Sequence, residues 1–164
     1  MLVADRRTRA ASHGRRDLAK RRDREILRAM SQENLEASRR FVDAFNRRDV
    51  EAMIATLDTG IEWHPASTVA LGGATSVYRG HSGVFDGLRD LAGSYESLRI
   101  EISRFQDVGE RVAGTGEIRV RGRASGAELR SPFGVVFEFR DGKATYIRSY
   151  LDPREALEAA GLPR

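Results

Sequence analysis

Arg148 stands in the stretch FEFRDGKATYIRSYLD, with Tyr146 two residues before it and Tyr150 two residues after. A guanidinium stays charged in any protein, and its planar fork of donors suits carboxylates, carbonyl oxygens and enolates. On a buried face it would need such a partner, because an unpaired buried charge is expensive. Glu117, in the run GEIRVRG with Arg119 and Arg121 on its own strand face, is the acid best placed to supply one. His64, in the run IEWHP, is the other reactive group: an imidazole takes and returns a proton near neutral pH. Glu62 shares its face two residues earlier, and Trp63 points the opposite way, toward core or interface.

Other chemistries are poorly supplied. The chain has no cysteine, which excludes disulfides, thiolate catalysis and zinc-thiolate sites and points to a reducing, cytoplasmic setting. The three histidines, His13, His64 and His81, lack metal-ligand spacing, so no metal site is expected. The glycines between residues 72 and 87 match no phosphate-binding loop, so no nucleotide cofactor is expected. No apolar run is long enough to span a bilayer, and no membrane partner is expected.

The elements that must position these residues follow from periodicity. Residues 32–48 carry apolar groups at a helical period, and DVEAMIATLD continues as a short second helix capped by Asp49. IEWH is a strand stopped by Pro65, residues 66–77 read as a loop, and HSGVFDGLRDLAGS is a third helix. From Leu98 the period becomes two. LRIEISRF and RVAGTGEIRVRG alternate, and ELRSPFGVVFEFR and KATYIRSYL form a hairpin about Asp141-Gly142. Asp152-Pro153 then opens a last helix that Gly161 ends. Helices first and a strand meander last predict an α+β domain with three N-terminal helices on a curved, mostly antiparallel sheet, plus a short C-terminal helix.

With a two-residue turn at Asp141-Gly142, unbroken pairing sets Phe137 opposite Tyr146, Val135 opposite Arg148 and Phe133 opposite Tyr150. Strand parity then turns Phe133, Tyr146, Arg148 and Tyr150 toward the helices. Tyr78, ahead of the third helix, is placed at the mouth of the space between helices and sheet.

The basic character is local. Residues 1–30 hold ten Arg or Lys and four acids, a net +6, whereas residues 31–164 carry −2. The expected division is a solvated, mostly disordered basic extension over 1–30, with some helix from about Asp17 to Arg28, and one domain over 31–164. Met30 opens MSQENLEASRR, which reads as a second start of translation. A mildly acidic domain is not expected to bind nucleic acid.

FVDAFNRRDVEAMIATLDTGIEWHPAS, then YRGHSGVFDGL, then FEFRDGKATYIRSYLD, in that order and spacing, resemble the nuclear transport factor 2-like superfamily. The nearest likeness is to its SnoaL-like polyketide cyclase and ketosteroid isomerase group. The resemblance covers about residues 32–161. It implies a conical fold, a pocket between helices and concave sheet, and a homodimer formed through the sheet. It also implies a small apolar or carbonyl-bearing ligand and no cofactor. In ketosteroid isomerases a carboxylate before a proline in this region is the proton-shuttling base; His64 occupies that place here. The first-helix tyrosine of those enzymes falls at Phe41 and their hairpin acid near Val135, so both of their hydrogen-bond donors are missing. Three readings follow. In the first, His64 abstracts a proton next to a carbonyl, Arg148 stabilises the charge and Glu117 orients Arg148. In the second, the polar groups are structural and the chain is a ligand-binding or dimerisation module. In the third, Glu117 and Arg119 serve an epoxide hydrolase-like reaction.

Overall fold

The computed structural model describes residues 4–66 and 76–163. The elements run α1 (Ala4–Arg47), α2 (Val50–Ala55), β1 (Leu57–His64), β2 (Tyr78–Arg79), α3 (Gly80–Ser94), β3 (Tyr95–Val108), β4 (Arg111–Gly122), β5 (Glu128–Arg140), β6 (Lys143–Tyr150) and α4 (Pro153–Ala160). The six strands form one sheet in the order β2-β1-β6-β5-β4-β3. Every pairing is antiparallel except β1 with β6, which is parallel. Most of the loop expected over 66–77 lies outside the described residues.

α1 is one helix from the basic extension into the domain, where a mostly disordered tail was expected. The segment contains no proline and is rich in alanine, arginine and leucine, all strong helix formers. Packing against the sheet begins partway along this helix. Side chains from Ser12 to Met30 are exposed, whereas Ala37, Phe41 and Ala44 are buried at the i, i+4, i+7 spacing of one helix face. Asn46 then ties α1 to the sheet: its amide donates to the Ile100 carbonyl at 2.7 Å and accepts from the Ile100 N–H at 2.9 Å.

α2 is capped as expected, with the Asp49 carboxylate accepting from the Ala52 N–H at 3.0 Å. It ends at Ala55, four residues before Thr59, and β1 starts at Leu57. α4 likewise has Asp152 at its N-cap and Gly161 in the left-handed region at its end. It lies on the sheet face opposite the other helices. Ala156 and Ala160 pack against Ala113 and Val136 there, and a Cβ on Gly134 would sit 2.5 Å from the Ala156 Cβ.

The hairpin departs from expectation in one residue. Asp141 and Gly142 both adopt positive φ (52° and 74°), as a two-residue hairpin turn that follows the sheet twist requires. Arg140 faces Lys143 and Phe139 faces Ala144 as expected; then the register shifts. Glu138 pairs with Tyr146, Phe137 with Ile147, Val136 with Arg148 and Gly134 with Tyr150. Thr145 is the extra residue of a β-bulge, and its hydroxyl donates to the Glu138 carbonyl at 3.3 Å. Every later side chain of β6 therefore changes face. Ile147, 1% exposed, joins Phe133, Phe137 and Phe139 in the core, and Arg148 is exposed on the other side. The inward placement of Arg148, Tyr146 and Tyr150 is thereby overturned. The physical reason is plain: the bulge exchanges a buried guanidinium for a buried isoleucine.

β4 keeps the expected parity. Val112, Gly114, Gly116 and Ile118 face the helices, and Glu117, Arg119 and Arg121 face away. Among the described residues no helix is long and apolar enough to cross a membrane.

Candidate functional site

Between α1, α3 and the inner face of the sheet lies an apolar cavity of about 30 Å³. Phe41, Val42 and Phe45 line it from α1, Leu91 from α3 and Trp63 from β1. The sheet contributes Leu98, Ile100, Ile118, Phe133, Val135, Phe137 and Ile147. Ser149, brought inward by the bulge, is the one polar side chain among the described lining residues. The volume suffices for a water molecule or two at the ~10–15 Å³ each requires. The aromatic rings hold the walls in place: Phe41 meets Phe137 edge-on at 5.7 Å, and Phe45 meets Trp63 edge-on at 6.5 Å.

A groove of about 370 Å³ adjoins this cavity, bounded by α2, α3 and the start of β3. Phe45, Leu91 and Leu98 line both spaces, so the groove and the cavity lie side by side across these three side chains. Met53, Phe85, Leu88 and Tyr95 form apolar walls, and Arg48 and Arg89 are its charged members. Burial pushes the Tyr95 hydroxyl up from its ordinary pKa, so it remains a neutral hydroxyl here.

Of the residues singled out in the sequence, Phe41 and Phe133 line the cavity. Tyr78 does not. Its ring packs on Trp63 at 5.7 Å and its hydroxyl donates to Asp90 at 2.7 Å, so it backs the wall instead of forming it. Gly87 makes this fit, since a Cβ there would lie 2.6 Å from the Trp63 ring.

His64 and Glu62 are on the outer face, because Trp63 between them points inward. The two form a close pair, His64 Nε2 to Glu62 Oε1 at 2.7 Å, with the Arg79 guanidinium 3.8 Å from the other carboxylate oxygen. The His64 ring lies 5.1 Å from the Tyr146 ring. In the parallel β1–β6 register Glu62 faces Tyr146 and His64 faces Arg148. Arg148 in turn lies over the Tyr150 ring at 5.2 Å and is hydrogen-bonded to Tyr146, which raises its pKa further. His64 thus neighbours Tyr146 and Arg148, and Arg148 neighbours Tyr150, on the side of the sheet away from the cavity.

Glu117 does not meet Arg148. Its carboxylate accepts from Arg119 at 3.0 Å and from Arg130, and these bonds, Arg130's first, hold its pKa below the ordinary carboxylate value. Arg119 also reaches Glu101 at 3.4 Å, which relieves the like-charge pairing of Glu101 with Glu117 across β3 and β4. This is a solvated ion-pair ladder. At the same strand positions the cavity sees Ile118, so no carboxylate–arginine pair faces a substrate there. Among the described residues no group of three or more acids or histidines could hold a metal ion.

Sequence reasoning missed Phe45, Trp63, Leu91 and Ser149 in the lining, and Arg48 and Arg89 at the groove. Phe45 carried a signal, lying near the apolar stripe of α1. The arginines carried none, being two among 26.

The fold is shared with solved structures. A nuclear transport factor 2-like protein of unknown function from Burkholderia pseudomallei K96243 superposes with a TM-score of 0.67 at 25% identity, over 77% of this chain and 95% of that one. A proposed polyketide cyclase from Xanthomonas campestris pv. campestris gives a TM-score of 0.61 at 20% identity, over 80% of this chain and 98% of that one. An LEH-like epoxide hydrolase from M. tuberculosis gives a TM-score of 0.61 at 20% identity, over 79% of this chain and 90% of that one. No curated protein matches the sequence. The family model for the SnoaL-like domain matches residues 38–147, two thirds of the chain and every element from the buried part of α1 to Ile147. This chain belongs to the SnoaL-like domain family.

Proposed function

We propose that this protein binds a small, mostly apolar molecule, without a cofactor, in the groove between α2 and α3, with one end of the ligand reaching the inner cavity. The observation that carries this reading is an apolar-walled groove of about 370 Å³ that shares Phe45, Leu91 and Leu98 with the inner cavity. The cavity alone is too small for a metabolite, whereas the groove falls within the ~300–1,000 Å³ usual for ligand pockets. No titratable side chain lines the cavity among the described residues, which favours binding over proton chemistry at this site. The relatives carry names of different activities, so the fold itself selects no reaction.

Calorimetric titration with 2-naphthamide, a neutral planar probe, tests the reading. Wild type is expected to bind it. Leu98→Trp, which fills the junction from a half-buried position, is expected to weaken binding by about ten-fold, the equivalent of ~1.4 kcal/mol. An unchanged circular dichroism spectrum would show that the variant is folded. Full affinity in a folded Leu98→Trp protein would place the ligand elsewhere.

A second reading, proton transfer at His64, is favoured by the 2.7 Å contact with Glu62. When Nε2–H donates to that carboxylate, Nδ1 is left as an acceptor, the arrangement of an oriented general base. The substrate would then sit on the outer face beside Tyr146 and Arg148. Exchange of α-protons of cyclohexanone in D2O, followed by proton NMR, separates the readings. Exchange that His64→Gln abolishes supports catalysis there, and a background rate in wild type removes it for enolisable ketones.

A further inference from the structure

We infer that the groove between α2 and α3 selects carboxylates: molecules with an apolar body and a single anionic head, the head received by Arg48 and Arg89. This rests on the groove being the ligand site, as proposed above, and adds the chemical class of the ligand. The walls are apolar, and the two charged side chains that line the groove among the described residues are both guanidinium groups. No carboxylate is among the described lining residues, although Asp86, outside the lining, pairs with Arg89. Phe85, 49% exposed on α3, leaves an aromatic ring open for a ligand to cover.

The two arginines come from different elements and are held in different ways. Arg48 occupies the turn between α1 and α2 with φ of 59°. Its N–H donates to the Phe45 carbonyl at 3.1 Å and the Asp49 N–H donates to the Ala44 carbonyl at 2.9 Å, so the turn closes the end of α1. Glycine or asparagine would adopt that left-handed conformation more readily than arginine. The Arg48 side chain is anchored as well, with Nη2 donating to the Glu96 carbonyl at 3.0 Å. That single bond leaves most of its five N–H donors for a ligand. Arg89 is paired with Asp86 at 3.3 Å. Exposed pairs of this spacing are weak and readily exchanged for a better-placed anion. A carboxylate at the rim would gain charge-assisted hydrogen bonds from these guanidinium groups, while its body covers Phe85 and Leu88.

2-Naphthoate and 2-naphthamide have nearly the same shape and differ in charge, so the ratio of their affinities isolates the head group. In wild type at low salt, calorimetry is expected to give naphthoate an advantage of about ten-fold, the effect of a hydrogen bond to a charged group. In Arg48→Asn/Arg89→Gln the ratio is expected to fall to about one; asparagine keeps the backbone conformation accessible. Raising sodium chloride to about 1 M should shrink the ratio in wild type by screening, with no substitution made. Equal affinities in wild type, or an advantage that survives the double substitution, would overturn this inference and leave the groove as an apolar binding site. Failure of both probes to bind would overturn the groove reading itself.

Discussion

Gly116→Ala is expected to be the most damaging single-methyl change in the protein, with a stability loss at or beyond the upper end of the ~1–3 kcal/mol usual for overpacking. Gly116 lies on β4 opposite Ile102, beside an irregularity in the β3–β4 pairing. A Cβ there would meet the Glu101 carbonyl oxygen at 1.9 Å and the Ile102 Cα at 2.9 Å. These are backbone atoms of the neighbouring strand, so no rotamer change relieves the contact; the strands must separate. Two companion variants fix the scale. At Gly114, two residues earlier on the same face, the nearest atoms belong to the side chains of Val135, Ile102 and Phe105 at 3.0–3.2 Å, which can shift. Gly114→Ala should therefore cost less. At Gly93, near the end of α3, a Cβ meets nothing within 4 Å, and alanine there should stabilise by up to ~1 kcal/mol through helix propensity. Urea unfolding with unchanged m-values gives the comparison directly. Gly116→Ala as stable as Gly93→Ala would mean that β3 does not approach β4 this closely.

The second large effect lies at neighbouring residues with opposite outcomes. Ile147→Arg is expected to unfold the domain or to cost roughly 3–5 kcal/mol, the scale of leaving a charge buried without its partner. Ile147 is 1% exposed, lines the cavity and pairs with Phe137. A guanidinium there has no acid within the described lining and cannot shed its proton. Such a loss is a large part of the ~5–15 kcal/mol that holds a domain of this kind folded. Arg148→Ile, one residue on, removes an exposed side chain stacked on Tyr150, and should cost no more than the ~0.5–1 kcal/mol of an exposed cation–π contact. Without the bulge at Thr145 the two outcomes would be reversed. Thermal unfolding of both variants thus reads the register of β6 in solution, and a stable Ile147→Arg beside an unfolded Arg148→Ile would refute the bulge.

That register marks the limit of what could be read from residues in a row. Along β5 the sequence Phe133, Val135, Phe137, Phe139 leaves no ambiguity, because only one face carries the large apolar groups, and those residues are buried as expected. Along β6 the run Tyr-Ile-Arg-Ser-Tyr offers a mixed set to either side. Tyr146, Arg148 and Tyr150 make a plausible inner face if the pairing runs straight from the turn; Ile147 and Ser149 make one if it does not. The choice was made by neighbours remote in the chain. Phe137 accepts Ile147 on one side, and on the other Trp63 from β1 pairs with Ile147 and faces the cavity with it. The same parity carries His64 and Glu62 to the outer face, so the candidate base and the candidate stabiliser moved together.

The groove escaped notice for a different reason. Arg48, Phe85, Arg89 and Leu98 come from the α1–α2 turn, α3 and β3, and no spacing in the sequence links them.

The order of elements, the turn at Asp141-Gly142, the caps of α2 and α4, and the faces of β4 and β5 were written locally, in propensities and in alternation that only one arrangement satisfies. Tertiary packing decided which side of β6 is inside, and therefore that the pocket is lined by hydrocarbon and Ser149 while the histidine and arginine look outward. Side chains on a strand repeat every two residues, so one inserted residue reverses all that follow, and the energy that favours the insertion comes from burying Ile147 against strands far away in the chain.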